Sequence, residues 1–353
     1  MAGRPVVGLD IGTSGVRAAE LRLGKSGPVL ERFGQVVLPA GAVRDGEVVD
    51  PEAVAATLRM LWTQARFSSK RVVVGVANQK VVVRQVDLPW LPPAELRRSL
   101  AFQVQDYIPM PVDQALLDFH PLEERTDDSG ARMLRVLLVA AAREMVGSTL
   151  EAVDAAGLTP TMVDLNSFAM LRAQTAVGGT FAVEAQALVD IGAGVTNIVV
   201  HQGGVPRFVR ILLMGGGYIT DAVAERLGVA AEEAEQVKRR TGLSVVPAEV
   251  HGHPANRAIE STGSALVEEV RGSLDYYLAQ PGSARIGRVL LSGGGSRLSG
   301  FVPRLSRATG LPVELAHPMS GLRIGRTRLT PEQLSFVEPL VTVPVGLALG
   351  VAS

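Results

Sequence analysis

Two segments in opposite halves of the sequence follow the same pattern. Each contains an apolar strand, then Asp-Ile-Gly, a turn of small residues and a second, β-branched strand, over residues 8–17 and 188–196. A pattern that occurs twice is typical of a duplicated structural unit. We therefore predict two α/β halves that face each other, each presenting one hairpin turn to a shared cleft.

The composition excludes several functions. The chain has 353 residues with 35 basic and 35 acidic side chains, so it offers no electrostatic reason to bind nucleic acid. The absence of Cys excludes disulfides, thiol catalysis and Cys-ligated metals. No signal peptide precedes the first strand, and no apolar run approaches ~20 residues. We therefore expect a cytoplasmic protein that does not itself span a membrane.

The twin turns have the chemistry of a phosphate site. Asp10 and Asp190 each end an apolar strand, where a carboxylate needs a partner such as Mg²⁺ (or Mn²⁺), held through its waters. Arg17 is positioned to neutralise a phosphate. The turn residues that would approach the phosphates are Gly12, Thr13, Ser14, Gly15, Gly192, Gly194 and Thr196. Two ordinary Asp hairpins are the alternative, which a single copy would favour and two copies do not.

Three further features suit the rest of a nucleotide. The run Gly293, Gly294, Gly295 and Ser296 follows a strand and could meet a ribose or an α-phosphate, or serve as a flexible connection. Glu235 and Lys238 share a helix face and could hold ribose hydroxyls and adenine, or form a solvated ion pair. Gly216 precedes another helix and is either a third close approach to the ligand or a hinge.

Taken in order, these elements resemble the actin-like ATPase superfamily, and within it the PilM family of type IV pilus assembly proteins. Residues 7–14 match that family's first phosphate loop, although its usual Lys is Arg17 here. The more family-specific segment is 87–109, which runs from Leu-Pro-Trp-Leu to a helix, predicted over about 94–108, that ends in Tyr-Ile-Pro. Residues 163–169 and 344–348 resemble the two helices that connect the halves.

The resemblance implies an α/β actin-like ATPase fold. Two duplicated ribonuclease-H-like halves would surround a nucleotide cleft, with a small inserted α+β domain in the first half. The predicted division is 1–35 with 155–185 and 335–353 for the first-half core, 36–154 for the inserted domain and its connections, 186–212 with 282–334 for the second-half core, and 213–281 for a second-half subdomain with the ribose-binding helix.

The resemblance also implies a function. An ATP-binding, Mg²⁺-dependent scaffold with slow or no ATPase activity would bind the cytoplasmic N-terminal segment of a PilN-like inner-membrane protein in a groove between the insert and the first half. It would link that partner to the pilus motor ATPases and reach the inner membrane only through it, with self-association left open. Trp90 is a candidate for the groove. Asp164 and Asn166 are candidates for orienting an attacking water, with helix capping or core packing as the simpler roles.

Two alternatives within the same superfamily stay open. A small-molecule kinase would need a polar pocket for its second substrate, and the sequence shows no cluster of that kind. A filament-forming protein like the cell-division protein FtsA would be expected to end in a basic amphipathic helix, whereas residues 347–353 carry no charge.

Overall fold

The structure, a computed structural model, describes residues 5–24, 27–175, 184–244 and 253–352. Its strands are β1 (Pro5–Ile11), β2 (Gly15–Gly24), β3 (Gly27–Val37), β4 (Val43–Arg44), β5 (Glu47–Val48), β6 (Arg71–Val76), β7 (Val81–Pro89), β8 (Ala115–Thr126), β9 (Arg132–Ala142), β10 (Thr159–Leu165), β11 (Ala185–Ile191), β12 (Thr196–Gln202), β13 (Val205–Leu212), β14 (Ile286–Ser292), β15 (Val313–Leu315) and β16 (Arg323–Ile324).

The helices cover the sheets and connect them. They are α1 (Pro51–Ala65), α2 (Pro93–Gln103), α3 (Arg143–Ala155), α4 (Asn166–Thr175), α5 (Gly216–Leu227), α6 (Ala231–Thr241), α7 (Pro254–Leu278), α8 (Phe301–Thr309), α9 (Pro331–Val337) and α10 (Thr342–Leu349), with short 3₁₀ turns at Val112–Gln114, Gly294–Arg297, Glu338–Leu340 and Gly350–Ala352. Among the described residues, no helix is both long and apolar enough to cross a membrane.

The two large sheets repeat one topology. The first has the order β10-β6-β1-β2-β3-β16 and the second the order β13-β12-β11-β14-β15. In each, three antiparallel strands (β1-β2-β3 and β11-β12-β13) continue on the other side of the first strand into two parallel strands (β6-β10 and β14-β15). The duplication predicted from the twin turns is therefore present in the strand order.

Local sequence explains why these elements form where they do. At the start of α1, the Asp50 side chain accepts a hydrogen bond from the Ala53 N–H at 3.0 Å, and Pro51 occupies the first helical position. The buried face of this helix repeats at helical spacing through Val54, Leu58 and Leu61. These side chains join the apolar core of the first sheet, whose strands are rich in Val because both faces are covered.

A third, three-stranded sheet carries the inserted domain. Its order is β7-β9-β8, and α2 packs its apolar side on this sheet. The same sheet also touches the second half, because the Gln85 side-chain amide of β7 donates to the Arg207 carbonyl of β13. Leu137 of β9 and Val209 of β13 share one buried cluster. The insert therefore contacts both halves.

Two of the predicted domain boundaries need correction. The range 36–154 includes β6, yet β6 pairs with β1 and β10 in the first sheet, and α1 packs on that sheet. The range 282–334 includes β16, which pairs with β3 of the first sheet. Both errors arise because the strand partner lies far away in the sequence. The helices of 213–281 pack in the same apolar core as the second sheet, and the remaining division stays a prediction.

The helices α4 and α10 cross at very short range between the halves. A Cβ on Gly346 of α10 would overlap the main-chain carbonyl of Ala169 in α4. Arg172 of α4 adds polar contacts at this crossing. Its Nε donates to the Gly346 carbonyl at 3.0 Å, and its guanidinium pairs with Asp164. Only glycine permits this approach, because the neighbouring atoms are main chain and cannot move aside.

Replacing Gly346 by Ala should therefore destabilise the protein. The added methyl group forces α4 and α10 apart, and we expect a loss of about 3 kcal/mol in the free energy of unfolding, at the upper end of overpacking effects. Gly147→Ala is the matched control, because Gly147 lies in α3 with nothing within 4 Å of an added Cβ. That change should stabilise by ~0.5–1 kcal/mol through helix propensity. Denaturant unfolding measures both, and equal effects of the two substitutions would contradict this packing.

Candidate functional site

The first predicted turn is built as a tight hairpin at the end of β1. The Gly12 N–H donates to the Gly15 carbonyl at 3.0 Å, and a Cβ on Gly15 would lie 2.7 Å from the Val36 carbonyl oxygen. Asp10 ends the buried part of β1 and is 8% exposed. Arg17 approaches it from β2, with 3.4 Å between Nη1 and Oδ2. The hairpin thus holds a carboxylate and a guanidinium side by side.

The second turn repeats this geometry at the end of β11. The Gly192 N–H donates to the Val195 carbonyl at 2.9 Å. The carboxylate of Asp190 accepts a hydrogen bond from the Ser292 hydroxyl at 2.7 Å, which comes from the parallel strand β14. The Thr196 hydroxyl donates to the Met214 carbonyl at 2.7 Å, so its hydrogen is already used inside the protein.

One cavity joins the two turns. Its volume is about 50 Å³. The residues predicted for the site that line it are Asp10, Gly12, Thr13, Ser14, Arg17, Asp190 and Gly192. The turns also touch directly, since a Cβ on Gly194 would lie 2.6 Å from the Thr13 hydroxyl oxygen. The structure therefore brings together the residues of both turns, which the duplicated pattern predicted from positions far apart in the chain.

The two carboxylates are buried and repel each other. The pKa of Asp190 is raised from 3.8 to about 6, chiefly by burial and also by the charge of Asp10, while the Ser292 hydrogen bond and the Arg17 charge oppose the rise. Burial likewise raises the pKa of Asp10, against the lowering effect of Arg17. Two acidic groups with raised pKa values at one cavity favour the binding of a cation between them.

Three polar atoms at the cavity have no hydrogen-bond partner in the described part of the chain. They are Arg17 Nε, Asn166 Oδ1 and Asn197 Oδ1. Buried polar atoms without a partner are uncommon in proteins, and each calls for a bound water, ion or ligand. Asn166 begins α4, whereas Asp164, the other candidate for orienting a water, pairs with Arg172.

Sequence reasoning missed several lining residues. They include Gly46, Gly75, Thr149 and Asn197. The signal for Asn197 was present, because it is the one amide in the otherwise β-branched run Thr-Asn-Ile-Val-Val of β12. Gly46 and Gly75 gave no local signal, since their close approaches are to residues distant in the sequence.

The predicted ribose pair lies on α6 and is not a solvated ion pair. Lys238 is 8% exposed, and its ammonium group donates to the Gly216 carbonyl and to the Thr220 hydroxyl, both at 2.8 Å. Glu235 accepts from the same hydroxyl at 2.6 Å and pairs with Lys238. These contacts fix the pair against the start of α5. The alternative of a solvated ion pair is therefore wrong.

The predicted glycine loop is packed between the end of β11 and the start of α5. Gly293 has φ 81°, in the left-handed region, and its N–H donates to the Pro339 carbonyl at 2.8 Å. The Ser296 hydroxyl donates back to the Gly293 carbonyl at 2.7 Å. Gly295 and Gly294 begin a 3₁₀ turn, and a Cβ on Gly216 would lie 3.6 Å from the Gly295 Cα. The loop is therefore held by specific contacts and is not a flexible connection, and its part in the site stays a prediction.

A polar contact joins the halves beside the cavity. Asp45 has φ 52° in the turn between β4 and β5, and its carboxylate accepts a hydrogen bond from the Tyr218 hydroxyl of α5 at 3.1 Å. The Asn78 side-chain amide donates to the Asp45 carbonyl at 2.6 Å and fixes this turn on the first half. The first half therefore contacts α5 of the second half beside the cavity.

Replacing Asp190 by Asn tests the repulsion between the carboxylates. Without ligand at pH 8, Asn removes a buried charge, so the free energy of unfolding should rise by about 2 kcal/mol. Because its pKa is raised to about 6, the contribution of Asp190 to wild-type stability is fully present below pH 4 and is lost as the pH rises through 6. The gain should therefore shrink between pH 6 and pH 4. Melting curves across this range check it, and a gain independent of pH would refute the assignment.

Comparisons with known proteins agree with this architecture. The family model described as "Type IV pilus assembly protein PilM" matches residues 8–351. Cell division protein FtsA of Bacillus subtilis is 25% identical over 260 residues, which cover 67% of this chain but only 58% of that protein. FtsA of Streptococcus pneumoniae is 26% identical over 351 residues, covering 88% of this chain and 75% of that protein.

Solved structures extend the comparison. A chain of the PilM-PilN type IV pilus biogenesis complex superposes with a TM-score of 0.86 at 30% identity, covering 99% of this chain and 98% of that one. MreB 5 of Spiroplasma citri bound to AMPPNP superposes with a TM-score of 0.54 at 13% identity, covering 90% and 94%, and shares the fold alone. The predicted actin-like fold is thus confirmed, and the chain belongs to the PilM family of type IV pilus assembly proteins within the actin-like ATPase superfamily.

Proposed function

We propose that this chain is an ATP-binding scaffold of the type IV pilus inner-membrane assembly platform. It binds the cytoplasmic N-terminal segment of a PilN-like membrane protein and links it to the pilus motor. The observation that carries the nucleotide part is the meeting of Asp10 and Asp190, from the two halves, at one cavity with unpartnered polar atoms. Family membership and the likeness to the PilM-PilN complex support the partner.

The residue types at the cavity match the chemistry of a magnesium-bound triphosphate. Two carboxylates and two amide oxygens offer hard oxygen acceptors, and Arg17 offers donors for a phosphate. The described residues contain no cluster of three or more His, Cys, Asp or Glu side chains able to hold a metal, which suits a cation that keeps most of its waters. When bound, the cation would neutralise phosphate charge, and the N–H groups of both turns would hold the phosphate oxygens.

We assign the ribose and adenine of the nucleotide to the second half. Glu235 and Lys238 would hold the ribose and adenine, and the loop that begins at Gly293 would pass close to them. The fixed contacts of the pair with Thr220 and Gly216 support this assignment, because they orient both side chains before a ligand arrives.

ATP serves here as a structural ligand whose binding closes the cleft. Asp164, which pairs with Arg172, is occupied elsewhere, so no carboxylate is assigned as a general base for hydrolysis. A ligand that contacts both turns binds the closed arrangement better than an open one and shifts the population towards it. Slow or absent turnover is the expected consequence.

The inserted domain is the expected partner surface. Phe102 of α2 is 79% exposed, although large apolar side chains are usually buried. Trp90, the sequence candidate, is held by the protein itself, with Arg132 over its ring at 4.0 Å and its indole N–H donating to Glu124. Phe102 is therefore the better candidate for the contact with an apolar peptide.

An FtsA-like filament is a second candidate function. It is favoured by the similarity to FtsA along most of the chain. Sedimentation with and without Mg-ATP distinguishes the two, because a filament would pellet with nucleotide in the absence of any partner.

Substituting Asp10 by Ala should abolish stabilisation by Mg-ATP. For the wild type, ligand at 100-fold its Kd should add ~2.7 kcal/mol of stability, read as a rise in Tm. Asp10→Ala removes one of the two carboxylates, so the Tm should not respond to Mg-ATP. Asp154→Ala, an exposed acidic residue in α3, should respond like the wild type. An unchanged response of Asp10→Ala would show that the site assignment is wrong.

Phe102→Ser should weaken binding of the partner segment. The ligand is a synthetic peptide of the N-terminal cytoplasmic residues of a PilN-like protein encoded by the same genome. Loss of one anchoring aromatic side chain is expected to raise the Kd about tenfold in calorimetry. Tyr276→Ser, a 58% exposed aromatic residue of α7 in the second half, is the control and should leave the Kd unchanged. Equal effects of both variants would exclude Phe102 as the contact.

A further inference from the structure

A second cavity lies at the opposite end of the first sheet from the twin turns. Its volume is about 410 Å³, and the charged residues that line it are Arg22, Arg32, Arg326, Glu20 and Glu31. Pro5, which starts β1, also borders it, whereas Asp10 lies near the end of that strand. Five residues of extended strand separate Pro5 from Asp10 by about 17 Å, so this cavity is not part of the cleft.

Two of the three arginines are held in place by carboxylates. Glu20 is 2% exposed, and its carboxylate accepts from Arg32 Nη1 and from the Ser68 hydroxyl, both at 2.9 Å. Glu31 accepts from Arg22 Nε at 2.7 Å and pairs with the same guanidinium. A guanidinium group has five N–H donors, so both arginines are oriented by these contacts and keep donors for a ligand.

The third arginine supplies charge that the protein does not balance. The Arg326 side chain is exposed and forms no ion pair within the part of the chain that the structure describes, because Glu31 accepts only from its main-chain N–H. Three guanidinium groups and two carboxylates leave one net positive charge at the cavity. Lys70 and Arg71 are exposed where β6 begins and add to the positive potential at this end of the sheet. A network that only stabilised the sheet would need neither the third arginine nor a cavity of this size.

The lining indicates the chemical class of the ligand. Guanidinium groups bind phosphate through paired N–H donors, and arginines that are already oriented lose little freedom in doing so. Cavities of about 300–1,000 Å³ are typical of small-molecule sites and exceed the needs of a single ion. The residues that line this cavity include no aromatic ring and one apolar residue, Pro5, so none of them would stack on a nucleobase. We propose that this cavity binds the phosphate groups of a hydrophilic ligand, either a free oligophosphate or the headgroup of an anionic phospholipid.

The first test measures the Kd of inorganic pyrophosphate by calorimetry in EDTA, for the wild type and for variants at Arg326. Arg326→Ala removes one charge-assisted contact, so the Kd should rise about tenfold. Arg326→Lys keeps the charge but not the planar pair of donors, and its Kd should lie between those of the wild type and Arg326→Ala. The Tm should stay unchanged in both, because the hydrogen bond to Glu31 comes from the main chain.

Arg71→Ala is the matched control. Arg71 is an exposed arginine at the same end of the sheet, but it does not line the cavity. Its substitution should leave the Kd within about twofold, because salt screens charges that do not contact the ligand. Equal effects of Arg71→Ala and Arg326→Ala would show a diffuse attraction and overturn the proposal. Loss of pyrophosphate binding in Arg17→Ala but not in Arg326→Ala would place the anion in the cleft and overturn it as well.

Cosedimentation with vesicles identifies the source of the phosphate. Vesicles of phosphatidylcholine alone are compared with vesicles that also contain phosphatidylglycerol, which attract basic surfaces. Binding to the second kind only, weakened more by Arg326→Ala than by Arg71→Ala, would identify a lipid headgroup as the ligand. Pyrophosphate binding without vesicle binding would identify a free oligophosphate. Absence of binding in both experiments, or binding that Arg326→Ala leaves unaltered, would refute the phosphate site without bearing on the nucleotide site of the cleft.

Discussion

Two buried carboxylates that face each other are the constraint on which the rest of this molecule depends. Asp10 and Asp190 end the central strands of two separate sheets, and their charges meet across the cleft. Burial alone would favour protonation of both. Arg17 and Ser292 offset part of this cost within each half, and a bound cation would offset the remainder. Because each half supplies only one carboxylate, the site exists only while the halves are held together.

Main-chain packing fixes the two helices, α4 and α10, that lie between the two sheets. Close contacts at Gly8 and Gly346 bring β1, α4 and α10 within main-chain distance, where any side chain would separate them. Contacts of this kind are rigid, because peptide groups have no rotamers with which to adapt. On their other side, α4 and α10 share a buried cluster with Leu188 of β11 and Val199 of β12, so the same helices also pack on the second sheet.

The sequence predicts what is local and misses what is distant. The hairpin turns, the glycine loop and the Glu235–Lys238 face follow from spacing within a few residues, and all are present. The burial of Lys238 was not predictable, because its partners lie on another helix. The insert boundary failed for the same reason: a Val-rich strand gives no sign of which sheet it will join. Asn197 was overlooked although it is the one amide in a β-branched strand, because the residues that share its cavity come from distant parts of the chain.

The contact between the insert and the second half has a mechanical consequence. The third sheet is continuous in sequence with the first half, yet β7 packs beside β13, an edge strand of the second sheet, through the Gln85 amide and the Arg207 carbonyl. Any rotation of one half relative to the other would therefore move the insert relative to at least one half. If binding of a protein to the insert were coupled in this way to binding of a ligand in the cleft, each would change the affinity of the other by the same factor. Such coupling would require only that the third sheet contacts both halves.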